Sequence, residues 1–176
     1  MATAQETPSV DPSTNEAKVR EVFRRLFDER DLSDPYAYWS DDSVDHFLAA
    51  GQSVRGAPAL AEWFAALFAA VPDWTLVIEN VVDDGAGQIV VQWTGTGTFT
   101  GAPFLGLEAT GRAIEIHGCD VIRLDANGRI DTNTVYYDGA EFARQVGMLP
   151  AAGSRTEQWM TAGFNTVTKA RKKLPW

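Results

Sequence analysis

Asp120 interrupts an otherwise aliphatic strand face. Counted by twos through Ala113–Leu124, one face carries Ile114, Ile116, Gly118, Asp120, Ile122 and Leu124, and the other Ala113, Glu115, His117, Cys119, Val121 and Arg123. A carboxylate among aliphatic side chains is costly to bury unless it is paired, hydrogen-bonded or protonated. The same cost makes it useful, because a carboxyl group whose ionisation is shifted by burial can exchange a proton near neutral pH. Proton shuttling on a ketone needs a base for the proton alpha to the carbonyl and a donor for the enolate. Asp120 can serve as either.

A second ionisable group is expected from the first strand. His46 titrates in the right range, and if Val44 points inward then His46 does too. A register displaced by one residue would turn Asp45 and Phe47 inward instead. Asp120 and His46 are the expected acid–base pair, with that register open. A turn at Asn127-Gly128 would bring Asn133, Val135 and Tyr137 across the hairpin onto the face of Asp120, where Asn133 and Tyr137 could bond a ligand or satisfy the carboxyl group. Trp93, Phe99 and Phe64 would wall a substrate-binding pocket or simply pack a core. His117 falls on the polar face with Glu115 and Arg123, and Asp138 suits the cap of a following helix.

These residues must be positioned by an ordered set of elements. Ser13 and Glu16 have the spacing of a capping box, after which Val19, Val22, Phe23, Leu26 and Phe27 share one face of a helix from Asn15 to about Arg30. Tyr36–Ser40 reads as a helical turn and Ser43–Phe47 as a brief strand. Pro58 opens a second helix with a stripe of Leu60, Phe64, Leu67, Phe68 and Val71, stopped by Pro72. The period then changes to two, predicting strands near Trp74–Val82, Gln88–Phe99, Ala113–Leu124 and Arg129–Tyr137. The loops at 83–87 and 125–128 have hairpin chemistry. Glycines 95, 97 and 118 would permit the sheet to bend. A short helix over Gly139–Val146 and an amphipathic helix over Arg155–Lys173, basic at its end, complete the chain. The expected architecture is α+β, a curved antiparallel sheet wrapped around helices and enclosing a pocket.

The 176 residues suit one domain: a tail over 1–14, a core over 15–150 and a helical extension over 151–176. A net charge of −9 argues against nucleic acid or an anionic membrane as partner. One cysteine and two histidines offer neither an internal disulfide nor zinc-ligand spacing, and no glycine-rich phosphate loop precedes a helix, so neither a metal nor a cofactor is expected. The longest strictly apolar run, Trp63–Val71, is too short to span a bilayer, and no signal-peptide pattern opens the chain, which suggests a cytoplasmic protein.

Several pieces in order resemble the SnoaL-like polyketide cyclase branch of the nuclear transport factor 2-like superfamily. They are the stretch from Trp93 to Gly101, Phe104-Leu105-Gly106, Thr110-Gly111-Arg112, Gly118–Arg123, Gly128-Arg129-Ile130 and Gln145–Pro150. The resemblance implies a cone with a deep apolar pocket, often a homodimer, that acts on or binds an apolar small molecule. Gly118–Arg123 with Gly128–Tyr137 is also similar to ketosteroid isomerase. The position matched by Asp120 there is a known instance of a carboxylic acid held neutral by apolar surroundings, so that mechanism comes with the resemblance. His46 lies near the position that resembles the isomerase's base. In the cyclases the position matched by Asp120 is usually histidine and that matched by Val135 usually carries the carboxylate; the isomerase's tyrosine falls near Phe23. An epoxide-hydrolase arrangement of Asp-Arg-Asp is matched only by Gln92, Trp93 and Thr94 followed by Val135. What the resemblance implies is a cofactor-independent cyclase or isomerase, a binding module of the same fold, or, less closely, an epoxide hydrolase.

Overall fold

A computed structural model describes residues 14–172. Helix α1 (Asn15–Phe23) continues as a π-helical turn over Arg24–Asp28, and buries Val19, Val22, Phe23, Leu26 and Phe27 as their spacing predicts. Its N-cap is Thr14, whose hydroxyl accepts from the Ala17 amide; Ser13, the expected cap, lies outside the described residues. Strand β1 (Trp39–Phe47) starts earlier than expected and absorbs the end of the anticipated helical turn, which is reduced to a 3-10 turn over Pro35–Ala37. A short strand β2 (Gln52–Arg55), not anticipated, precedes helix α2 (Ala57–Ala70). Strands β3 (Thr75–Asp83), β4 (Gln88–Thr98), β5 (Ala113–Leu124) and β6 (Ile130–Tyr137) lie within a residue or two of the alternation that predicted them. Helices α3 (Gly139–Gln145) and α4 (Arg155–Arg171) follow. No helix among the described residues is long and apolar enough to cross a membrane.

The six strands form one sheet in the order β2-β1-β6-β5-β4-β3. All neighbours are antiparallel except β1 and β6, whose parallel pairing joins the first half of the chain to the last strand. The β5–β6 register is fixed by its turn. Gly128 has φ +81°, and Asp125 Oδ1 accepts from the amides of Asn127 (2.8 Å) and Arg129 (2.9 Å). That register sets Gly118 opposite Tyr137, Asp120 opposite Val135 and Ile122 opposite Asn133.

The core lies between the concave sheet face and helices α1 and α2, where Phe27, Phe64 and Phe68 pack edge-on or tilted. Two of the strand glycines serve a purpose beyond bending. A Cβ at Gly95 would overlap the Trp74 ring, and one at Gly118 would overlap the Trp93 ring. Both are spaces for an indole lying flat on the neighbouring backbone.

Candidate active site

Asp120 does face inward, and its surroundings are built by three strands. Trp93 on β4 pairs with Gly118, and because glycine leaves that position empty its indole reaches along β5 to donate Nε1–H to Asp120 Oδ1 at 2.8 Å. Asn133 on β6 donates Nδ2–H to Asp120 Oδ2 at 3.1 Å. The same amide nitrogen contacts Asp45 Oδ2 at 3.5 Å, since Asp45 on β1 pairs with Asn133 across the parallel ladder. Asp45, Asn133, Asp120 and Trp93 therefore form one buried polar row within an aromatic interior.

The first strand turns Asp45 inward, not His46. Asp45 is 1% exposed, whereas the His46 ring lies on the other side of β1 and bonds Ser53 Oγ at 2.8 Å. The expected Asp120–His46 pair is thus corrected to Asp120 and Asp45. The physical reason is Phe47, which shares the face of Asp45 and stacks on Trp63 of α2 with ring centroids 3.8 Å apart. Burying that aromatic pair carries Asp45 inside with it.

Burial raises both carboxyl groups, to different extents. Asp120, 7% exposed, is pushed up to about 6 by desolvation, with the hydrogen bonds from Trp93 and Asn133 opposing the shift. Asp45 is pushed up to about 8 by desolvation and then by the charge of Asp120, against weaker support for its ionised form from Asn133 and Trp39. The Trp39 indole lacks the geometry of a hydrogen bond: its Nε1 and Asp45 Oδ1 are both buried and unpartnered. An oxygen with no donor against it suits the one that carries the proton. Near neutral pH the pair accordingly shares about one proton, which favours Asp45, the more strongly raised of the two, over Asp120.

Only Asp120 of this pair opens onto the cavity, a space of about 90 Å³ on the concave face of the sheet. That is several times what a single water requires. Of the residues expected at the pocket, Trp93, Phe64, Phe99, Val135 and Tyr137 line it, while Asn133 lies one layer behind, holding the two carboxyl groups. Trp63, Trp74, Phe104 and Phe142 add aromatic walls that sequence alone did not single out. The Tyr137 hydroxyl makes no hydrogen bond among the described residues, and desolvation raises its pKa, so it stays a free O–H donor beside the cavity. His117 and Asp138 are placed as expected: His117 meets Thr94 and Glu115 on the outer sheet face, and Asp138 caps α3. No grouping of three or more His, Cys, Asp or Glu side chains among the described residues is arranged to hold a metal ion.

Gly118→Ala should report on this construction. The new methyl group displaces the Trp93 ring, an overpacking cost of about 1–3 kcal/mol, and draws Nε1 away from Asp120. Losing a donor to its ionised form moves the Asp120 pKa further up. Urea denaturation and NMR titration of the carboxyl carbon would measure both effects; unchanged stability together with an unchanged pKa would refute this account of the glycine.

The family model of SnoaL-like polyketide cyclases matches residues 17–146. None of the curated proteins matches the chain. Among solved structures, AclR from Streptomyces galilaeus is similar at 17% identity and a TM-score of 0.66, over 92% of this chain and 98% of that one. A SnoaL-like protein from Jannaschia sp. CCS1 is similar at 24% identity and a TM-score of 0.65, over 81% and 100%. A protein of ketosteroid isomerase-like fold from Catenulispora acidiphila is similar at 17% and 0.61, over 80% and 99%. At such identities the likeness is one of fold, in line with the α+β cone that the family resemblance implied.

Proposed function

The chain belongs to the SnoaL-like polyketide cyclase family, and we propose that it is a cofactor-independent cyclase or isomerase acting by proton transfer on an apolar, carbonyl-bearing small molecule. The observation that carries this reading is Asp120, a buried carboxylate with a raised pKa that opens onto an aromatic cavity. Polyketide-, terpenoid- or steroid-like compounds have the required chemistry, a carbonyl on a hydrocarbon frame.

In this mechanism Asp120 takes a proton from the carbon alpha to the carbonyl, leaving an enolate and a neutral carboxyl group. The Tyr137 hydroxyl donates a hydrogen bond to the enolate oxygen. Isomerisation follows when Asp120 returns the proton to a different carbon. Cyclisation follows when the enolate carbon attacks a second carbonyl of the same molecule, forming a carbon–carbon bond, and the resulting alkoxide takes the proton back from Asp120. Asp45 does not reach the cavity and is a positioning residue, acting through Asn133.

Solvent deuterium wash-in tests the proposal. Ketones that bind the cavity, tested in order of increasing size from small cyclic ones, should gain deuterium alpha to the carbonyl in the presence of the protein. The rate should rise with pH around an apparent pKa near 6, as Asp120 becomes ionised. Binding without any wash-in would overturn the enzymatic reading. It would favour the second one, a small-molecule binding module, for which the aromatic walls are support enough.

A further inference from the structure

Helix α4 is well formed yet leaves its apolar stripe exposed. Its 17 residues are capped by Ser154, whose hydroxyl accepts from the Glu157 amide, yet none is buried. Trp159 is 81% exposed, Phe164 70%, Val167 53% and Met160 51%. At 100° per residue these four fall within one arc together with Gly163 and Ala170, while Thr161, Asn165, Thr168 and Lys169 occupy the other side. A lone helix of this length is marginal in water, and most helical stability in proteins comes from packing such a stripe. Contiguous exposed apolar surface of this kind marks an interaction site.

Charge and topology identify what covers it. Residues 151–176 contain five basic side chains and one acidic, a net +4 within a chain of −9, which leaves −13 for residues 1–150. The helix is therefore complementary to the body of its own kind of molecule, and that body would repel an anionic membrane. The outer face of the sheet offers a matching seat: a shallow groove lined by Asn80, Val82, Val90, Gln92, Cys119 and Tyr136, with Val82 and Tyr136 exposed and Glu79 and Glu115 on the same face. Within one chain the first turn of α4 is tied back to its own end of the molecule by Glu157, which meets Arg144 of α3 at 3.6 Å and the Gly153 amide at 2.6 Å. No residue in the remainder of the helix is buried.

We infer that α4 docks on a second copy of this chain, its Trp159–Phe164–Val167 stripe lying across the outer sheet face of the partner, and that the exchange is reciprocal. A two-fold axis makes the contact twice. With aromatic side chains burying about 150–250 Å² each, Trp159 and Phe164 from both copies and the surface they cover approach the roughly 1,200–2,000 Å² of a stable interface.

The test uses the full chain. Light scattering after size exclusion should give twice the chain mass, and Trp159→Glu with Phe164→Glu should halve it with an unchanged melting temperature of the body, because neither side chain is buried within the protomer. Cys119, the sole cysteine, lies in the groove and provides a second readout. A Phe164→Cys, Cys119→Ala chain mixed with the unmodified chain and oxidised should give a mixed disulfide dimer. A monomeric mass at tens of micromolar would overturn the inference. So would a dimer indifferent to the double glutamate variant, or an absent mixed disulfide. Co-sedimentation of a monomer with vesicles containing phosphatidylserine would assign the stripe to a membrane instead.

Discussion

Asp120→Asn should slow deuterium wash-in by about 10²–10⁴-fold, the usual share of a positioned general base, and leave the fold in place. Asparagine has the same shape and keeps an oxygen for the Trp93 indole, so one hydrogen bond survives; the other is lost, because Asn133 presents an N–H₂ group to the new amide. That loss costs about 1 kcal/mol where the carboxyl group would have been neutral, and is offset at higher pH by removing a buried charge. Cavity ligands should bind within a few-fold of the unmodified protein. Wash-in retained at full rate by a folded Asp120→Asn chain would remove Asp120 from the chemistry.

Asp45→Asn should act on stability where Asp120→Asn acts on rate. The Asp45 pKa is raised from its ordinary value near 4 to about 8 by folding. The protonated form is favoured in the folded state, so its contribution is fully present below pH 4 and is lost as pH rises through 8. Over that window the native protein should give up several kcal/mol, on the order of 1.4 kcal/mol per pKa unit. The variant cannot ionise and should escape this loss. It should be less stable than the native protein near pH 5, where it leaves an N–H without a partner, and more stable near pH 9. Denaturation midpoints measured from pH 5 to 9 would show the two curves crossing, and parallel curves would refute the assignment. The rise in wash-in near pH 6 should stay in place, because Asp45 is neutral there and exerts no charge on Asp120.

Much of this site is legible in the sequence. The alternation of Ala113–Leu124 put Asp120 with the aliphatics, and the Asp125–Gly128 turn put Val135 and Tyr137 beside it; both are local patterns that a strand and a tight hairpin cannot satisfy in another way. The aromatic residues Trp93, Phe64 and Phe99 followed from the same counting. The partner of Asp120 was not legible in that way. Around β1 the sequence Ser43-Val44-Asp45-His46-Phe47 has no clean alternation: Ser43, Val44, Asp45 and Phe47 are all buried, and the ladder slips between Trp39 and Val44.

Strand β2 and the parallel junction of β1 with β6 were missed for a related reason, since four residues carry too little periodicity to read and pairing direction leaves no mark on either strand alone. Gly118 reads in the sequence as a place where a strand can bend, but its use as a bed for Trp93 depends on which residue of β4 lies opposite.

The sequence by itself determined that a carboxyl group would be carried into the core on β5 and that aromatic side chains would surround it, because period and turn chemistry act over a few residues. Only the tertiary structure decided that Asp45, and not His46, would meet it through Asn133. That choice was made by the stacking of Phe47 on Trp63 and by the pairing of β1 with a strand about 90 residues later in the chain, and free energies of that range are set by packing rather than by local pattern.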